Sequence, residues 1–313
     1  MTRTLDCVYG RPKGPLPDDI ASTRRLLGMT EESIRRDVCE LTQWLRDQPN
    51  LPNTLDGVEL DWWMENYLVM NKNEVERVKD NLPVYFQLKT ILPEIMSNRD
   101  PKTNKEMIKG YDTTLVGLVP TVMDGGRKLA VYMHRQDTPT SDYSPAGIAM
   151  HLTCLADLYL AQGIDHTKLV LVIDMRTVRL GHLARYPLGL LRRFFLYAWK
   201  AYPERVAQIH IINPPAILSA IMAMFKPLLK AKIRKRMIVH RHFETFLEHV
   251  PLKYMPKDYG GESPSLIELH EAWRQKIIDH QPYFKKCSAK HRVVDKKSKC
   301  VESSENNIMS SKN

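Results

Sequence analysis

Two short runs of aliphatic, largely β-branched residues, KLVLVIDM at 168–175 and AQIHII at 207–212, flank a stretch at about 187–201 with helical spacing. A strand that is apolar along its whole length has no side for water and must be covered on both faces. Strands that alternate with helices in this way specify an α/β domain with a mainly parallel sheet. The pattern extends in both directions. TLVGLVPTV and KLAVYMHR are strands joined by MDGGR, whose Gly125–Gly126 pair predicts a hairpin turn. A helix is predicted over 145–162 and a further short strand in RMIVH, so the α/β domain is expected to span 105–275.

Upstream the period is helical. Thr30 followed by Glu31 and Glu32 reads as an N-cap with acids in the first turn, and Ile34, Val38, Leu41 and Leu45 follow at helical spacing until Pro49. A second helix is predicted through ELDWWMENYLVM, with Trp63, Tyr67 and Met70 on one face. A third runs from an Asn73 cap through Val75, Val78, Leu82 and Phe86, kinked at Pro83. Residues 29–100 are therefore expected to form a small all-helical domain. Residues 1–28, rich in Pro, Gly and Arg, predict a flexible arm, and residues 285–313, without apolar periodicity, a disordered basic tail.

With 313 residues, 43% of them apolar, the chain can fill a substantial core, and its formal net charge of +10 favours an anionic partner. The N-terminus lacks the apolar stretch of a secretory signal, and no run reaches the ~18 apolar residues of a membrane span. A cytoplasmic protein, reversibly peripheral on membranes, is expected. Cys7, Cys39, Cys154, Cys287 and Cys300 are scattered without C-x-x-C spacing, which predicts free thiols rather than a disulfide framework or a zinc site.

A parallel sheet invites an enzyme reading, but the parts such enzymes need are missing from the sequence. No G-x-G-x-x-G follows a strand, and there is neither a G-x-x-x-x-G-K-[ST] phosphate loop nor a G-x-S-x-G elbow. His240 and His242, with His249 nearby, lack an acidic or thiolate companion and read as surface or capping histidines. Asp174 ends the buried strand, a place for a general base and more often for a cap on the following loop. His151, inside an apolar helix, reads as a core histidine. No catalytic residue, metal or cofactor is expected.

The most unusual segment is NPPAILSAIMAMFKPLLKAKIRKRM, 213–237. Asn213 with Pro214 reads as an N-cap and first helical position, and Ile217, Ile221, Met224 and Leu228 follow at helical spacing. Leu218, Met222 and Phe225 widen the apolar surface beyond one stripe, so this helix is either deeply buried or mobile against something apolar; methionine suits an adaptable apolar surface. Pro227 then breaks the helix, and Lys232 and Arg236, four apart, share a face if the second piece extends that far. Aliphatic residues and methionine stand where a nucleic-acid binder interleaves stacking aromatics, so a membrane interface fits better than nucleic acid, and no nucleic-acid partner is expected.

IHIINPPAILSAIMAMFKPLLKAKIRKRMIVH at 209–240, followed by PLKYMPKDYGG at 251–261, resembles the CRAL-TRIO lipid-binding family, especially its branch that includes α-tocopherol transfer protein and cellular retinaldehyde-binding protein. The order I-H-x-I-N-x-P, K-P-x-L, a short strand and P-x-x-Y-G-G carries the likeness, which extends over about residues 30–275. The resemblance implies a nonenzymatic carrier in which a sheet floor and surrounding helices enclose an apolar cavity, with the helix from near Pro214 as its mobile gate. Ile217, Leu218, Ile221, Met222 and Phe225 would face the ligand or the bilayer. Leu152, Leu155, Ile173 and Ile209 would line the fixed wall, with Tyr197 and His151 as polar handles for a head group.

In the tocopherol-carrier branch a basic cleft beside the gate recognises phosphatidylinositol bisphosphates; the matching positions here are Arg205, Lys232 and Arg236, while Ala207 stands where that carrier has a basic residue. The expected partners are thus a hydrophobic small molecule, such as a tocopherol-, retinoid- or isoprenoid-like lipid, and a phosphoinositide-containing membrane. A phosphoinositide-sensing adaptor without transfer activity is the alternative.

Overall fold

The computed structural model describes residues 9–55 and 57–290. Its helices are α1 (Asp18–Leu26), α2 (Glu31–Arg46), α3 (Leu60–Met70), α4 (Val75–Ile91), a single turn α5 (Pro93–Met96), α6 (Lys105–Thr113), α7 (Pro145–Gln162), a short α8 (Leu180–Leu183), α9 (Leu188–Ala201), α10 (Leu218–Phe225), α11 (Ala231–Arg234), α12 (Phe243–Leu247), α13 (Leu266–Asp279) and α14 (Gln281–Lys290). Five strands, β1 (Thr114–Met123), β2 (Arg127–His134), β3 (Lys168–Asp174), β4 (Val206–Ile212) and β5 (Met237–Val239), lie side by side in sequence order.

In the helical part, α2 begins at Thr30, whose hydroxyl accepts the Ser33 amide while Ser33 Oγ accepts the Thr30 amide. Helix α3 has no single apolar face: every residue from Trp62 to Met70 is buried, so the expected stripe of Trp63, Tyr67 and Met70 is replaced by burial all round. That burial explains why residues 9–28 are not a flexible arm. Glu65 lies inside α3 and cannot stay charged there unpaired. Arg24 of α1, itself buried, gives Nε to Glu65 at 3.0 Å, Nη2 to Asn66 Oδ1 at 2.6 Å and Nη1 to the Ile164 carbonyl at 2.5 Å, and Arg11 reaches the other Glu65 oxygen at 2.9 Å. Residues 1–8 of the expected arm lie outside the described residues. So do residues 291–313 of the expected tail, whereas 285–290 continue α14.

Asn73 does not cap α4. It and Lys72 adopt left-handed backbone, φ 60° and 66°, and close α3 instead: the Asn73 amide donates to Leu68 O at 2.9 Å and the Lys72 amide to Val69 O at 3.0 Å, the paired bonds of a Schellman turn. Helix α4 follows from Glu74 and continues through Pro83 as one element.

The β1–β2 hairpin turns through Gly125 and Gly126 at φ 72° and 69°, conformations that cost glycine nothing. Strands β2, β3, β4 and β5 then pair in parallel, with helices in each crossover. Side chains alternate across the sheet. Leu129, Val131, Val170, Val172 and Ile212 point to one side, where Phe246 of α12 and Leu266 and Leu269 of α13 cover them. Val116, Leu118, Ala130, Tyr132, Ile173, Ile209 and Ile211 point to the other, toward α7, α9 and α10. Helices α6 and α7 touch backbone to backbone at Gly110 and Gly147, where an added Cβ on Gly147 would sit 1.8 Å from Glu106 O.

The expected start of the gate helix is corrected. Asn213 is no N-cap but lies at φ 50°, its Nδ2 donating to Asp174 Oδ1 at 3.0 Å, and α10 begins only at Leu218. The Pro214–Pro215 pair contributes: a residue before proline is pushed out of helical backbone, so Pro214 cannot serve as the first helical position that an Asn213 cap would need. Pro227 falls in a tight 3₁₀ turn, Lys226–Leu228, before the single turn α11 ends at Arg234. Arg236 lies beyond it, so Lys232 and Arg236 do not share a helical face. No helix among the described residues is long and apolar enough to cross a membrane.

Candidate functional site: an apolar floor, a gate and a cationic edge

The central strand β3 is covered unequally. Val170, Val172 and Asp174 are buried beneath the α12–α13 side, whereas Leu169, Leu171 and Ile173 on the opposite face keep accessible surface although strands flank β3 on both edges. Above that face, Phe194, Phe195 and Tyr197 of α9 are only half-buried and Leu196 is exposed. Hydrocarbon left uncovered on the inner face of a sheet is the lining an apolar ligand requires.

The residues expected to form a gate meet this floor. Ile217, Leu218, Ile221, Met222 and Phe225 form one apolar cluster with Ile173, Met175, Ile211 and Met237, and Ile221 is its most buried gate member. Ile209 lies on the same sheet face, paired with Met237. Phe225 is held from two sides, its ring 5.2 Å from Tyr186 and 6.2 Å from Phe195. The other expected residues lie outside this cluster. Leu155 and Tyr197 pack on the core shared with the helical domain, and Leu152 is 38% exposed on the stripe of α7 that carries Ala156 and Tyr159. His151 is sealed against Tyr111 at 4.2 Å and His270 at 5.5 Å, and neither ring nitrogen has a hydrogen-bond partner among the described residues. Burial, then His270 and Arg274, push its pKa well below the usual imidazole value, so it stays neutral.

A separate recess of about 1420 Å³ opens between α10 and the β5–α12 edge, lined by Leu218, Met222, Lys226, Arg234, Val239 and His242 among others. Leu218 and Met222 face it from among the expected pocket residues, while His151, Leu155, Tyr197 and Ile209 do not. Cations and histidines line its rim, and the partly accessible floor of β3 lies on the other side of α10. His240 on its wall is committed. Thr245 Oγ1 gives its proton to the His242 carbonyl at 2.8 Å and so accepts from His240 Nδ1 at 3.0 Å, which leaves His240 Nε2 to accept from His210 Nδ1 at 2.9 Å. Asp174 is equally committed: it takes Arg176 N and Nε at 3.0 and 2.7 Å, Asn213 Nδ2, and the Tyr259 hydroxyl at 2.9 Å, which makes it the cap of the loop after β3 rather than a base.

Arg205 directly precedes β4 and Arg236 directly precedes β5, where Arg236 Nη1 donates to the Val206 carbonyl and the Arg236 carbonyl accepts from Ile209 N at 2.9 Å. Arg205 Nη2 is buried without a hydrogen-bond partner among the described residues. Burial lowers its pKa and Arg77 adds to the effect, with Glu204 and Glu74 opposing. Lys72 is lowered by burial, then by Arg77, with Lys232 and Arg205 contributing in the same direction against Glu74. Lys72, from the α3–α4 turn, and Arg77, in the first turn of α4, thus join Arg205 and Lys232 in a mainly cationic group that also holds Glu74, 3.8 Å from Lys72 Nζ, and Glu204. Sequence reasoning missed Lys72 and Arg77 because more than a hundred residues separate them from Arg205 and nothing local marks the approach.

Residues 124–261 match the family described as "CRAL/TRIO domain", and residues 30–107 the one described as "Pinta-like, UBA domain". The chain is similar to human "Alpha-tocopherol transfer protein-like", 25% identical over 252 residues, covering 80% of this chain and 71% of that one. The mouse protein of the same description is 26% identical over 272 residues, covering 86% and 76%. Rat "Clavesin-1" is 21% identical over 256 residues, covering 80% and 70%. With the parallel sheet and the helix that follows Asn213, residues 124–261 form a CRAL-TRIO domain.

Proposed function

We propose that this chain is a nonenzymatic carrier that holds a hydrophobic small molecule, tocopherol-, retinoid- or isoprenoid-like, between the sheet floor and α10, and exchanges it at phosphoinositide-containing membranes. The observation that carries this reading is the half-covered face of β3 beneath the gate cluster. Each methylene moved from water into such a lining is worth about 0.8 kcal/mol, so a closed gate removes most of the cost of carrying a lipid through water. The cationic group supports the membrane part: a phosphate oxygen would supply the partner that Arg205 Nη2 lacks among the described residues and offset the repulsion that Arg77 exerts on Lys72 and Arg205. These charges stand in for the missing one at Ala207. The carrier would work in the cytoplasm and dock reversibly.

The test is transfer of a fluorescent tocopherol between donor and acceptor vesicles with and without phosphatidylinositol bisphosphate. The expected result is transfer that the phosphoinositide accelerates, with Arg205→Ala plus Lys232→Ala weakening vesicle docking while ligand retention in solution is kept. Docking without any transfer would replace the carrier by an adaptor. Retention on DNA with no affinity for anionic vesicles would overturn both.

A further inference from the structure

Beside the gate lies a chain of phenols that the apolar description of the cavity does not use. Tyr132 of β2, Tyr143 just ahead of α7 and Tyr186 just ahead of α9 bring their hydroxyls together, Tyr132 to Tyr143 at 3.4 Å and Tyr143 to Tyr186 at 2.5 Å. Both ends border the space under α10. Tyr132 points to the gate side of the sheet in register with Ile173, a member of the gate cluster, and the Tyr186 ring meets Phe225 edge-on at 5.2 Å. Tyr132 and Tyr186 are deeply enclosed by protein yet keep accessible surface, while Tyr143 between them is buried. Tyr132 and Tyr186 thus keep surface beside Ile173 and Phe225 of the α10 cluster.

Proton counting gives the chain a function. Three hydroxyls carry three protons, and the two contacts between them use two. A chain that runs one way leaves an unused donor at one end and an unused acceptor at the other, and one in which both outer hydroxyls donate to Tyr143 leaves acceptors at both ends, so every arrangement offers an acceptor at Tyr132 or Tyr186. We infer that Tyr132, Tyr143 and Tyr186 form the subsite for a single uncharged oxygen, a hydroxyl or carbonyl, at the head of the lipid. The inference rests on the carrier reading and narrows its ligand. A carboxylate is disfavoured because, among the described residues, no buried cation lies against the three rings: His134 and His182, 4.7 and 5.0 Å from the Tyr143 ring, stay neutral through burial, and Arg185 is exposed. The phenols themselves remain protonated, since burial raises all three.

Three probes that share one carbon skeleton, all-trans-retinol, all-trans-retinal and all-trans-retinoic acid, test it through quenching of tryptophan emission. Retinol and retinal are expected to bind the native protein at least about tenfold more tightly than the acid. Tyr186→Phe and Tyr132→Phe should each weaken retinol about fivefold to tenfold, the value of one hydrogen bond, and leave the acid unchanged. Equal binding of the acid and the alcohol by the native protein overturns the inference, whatever the variants do, and so does a pair of folded variants with native retinol affinity. Binding of none of the three overturns the carrier reading itself and the inference with it.

Discussion

Asp174 shows how one buried carboxylate can fix the corner that leads into a helix. It ends β3 with no exposed surface and joins Arg176, Tyr259 and Asn213, the last of which sets the left-handed corner before the gate. Its capping role was readable from its place after a buried strand, but its partners at 213 and 259 were not, because they reach it only after β4 and the segment beyond β5 have folded back. Asp174→Ala leaves several donors unpaired, although Arg176 can turn to water, so a loss of about 2–3 kcal/mol is expected. Tyr259→Phe removes one donor and should cost about 1 kcal/mol. Urea unfolding at constant slope checks both; equal losses would mean that Tyr259 alone holds the corner.

At the scale of elements, the strands and long helices were legible because apolar runs and helical spacing are local. What was not legible depends on pairs of prolines and on distant charges: Pro214–Pro215 delays α10 to Leu218, and Arg24 orders the N-terminal residues only because α3 buries Glu65. The turn between α3 and α4 carries a functional consequence. Lys72 occupies a left-handed position where glycine is customary, at a strain of about 1 kcal/mol, and its ammonium belongs to the cationic group. Strain kept at such a place is consistent with use of the side chain. Lys72→Gly is therefore expected to leave stability unchanged or raise it by up to about 1 kcal/mol while weakening docking to phosphoinositide vesicles. A loss of stability in thermal unfolding, or unchanged docking in vesicle flotation, would separate Lys72 from the cationic edge.

For the whole molecule, the distribution of histidines sets the response to pH. His134 and His210 are lowered to about 3 and about 4, chiefly by burial, and His151, His182, His240 and His270 are lowered in the same direction. Such groups are neutral in the fold and gain a proton on unfolding, so the unfolded chain binds more protons below its ordinary histidine pKa of ~6.5. Stability should fall as pH drops from about 6.5 toward 4, by up to about 1.4 kcal/mol per pH unit for each histidine involved. His166 acts in the opposite sense. Despite its burial, Glu204 and Asp165 raise it to about 9, so its contribution is full below ~6.5 and is lost as pH rises through 9. Thermal unfolding across pH should therefore show a maximum near neutrality with a steep acid side. His166→Gln should flatten the alkaline side between about 7 and 9 and leave the acid side in place, whereas a profile that the substitution shifts uniformly would show that His166 serves packing rather than charge.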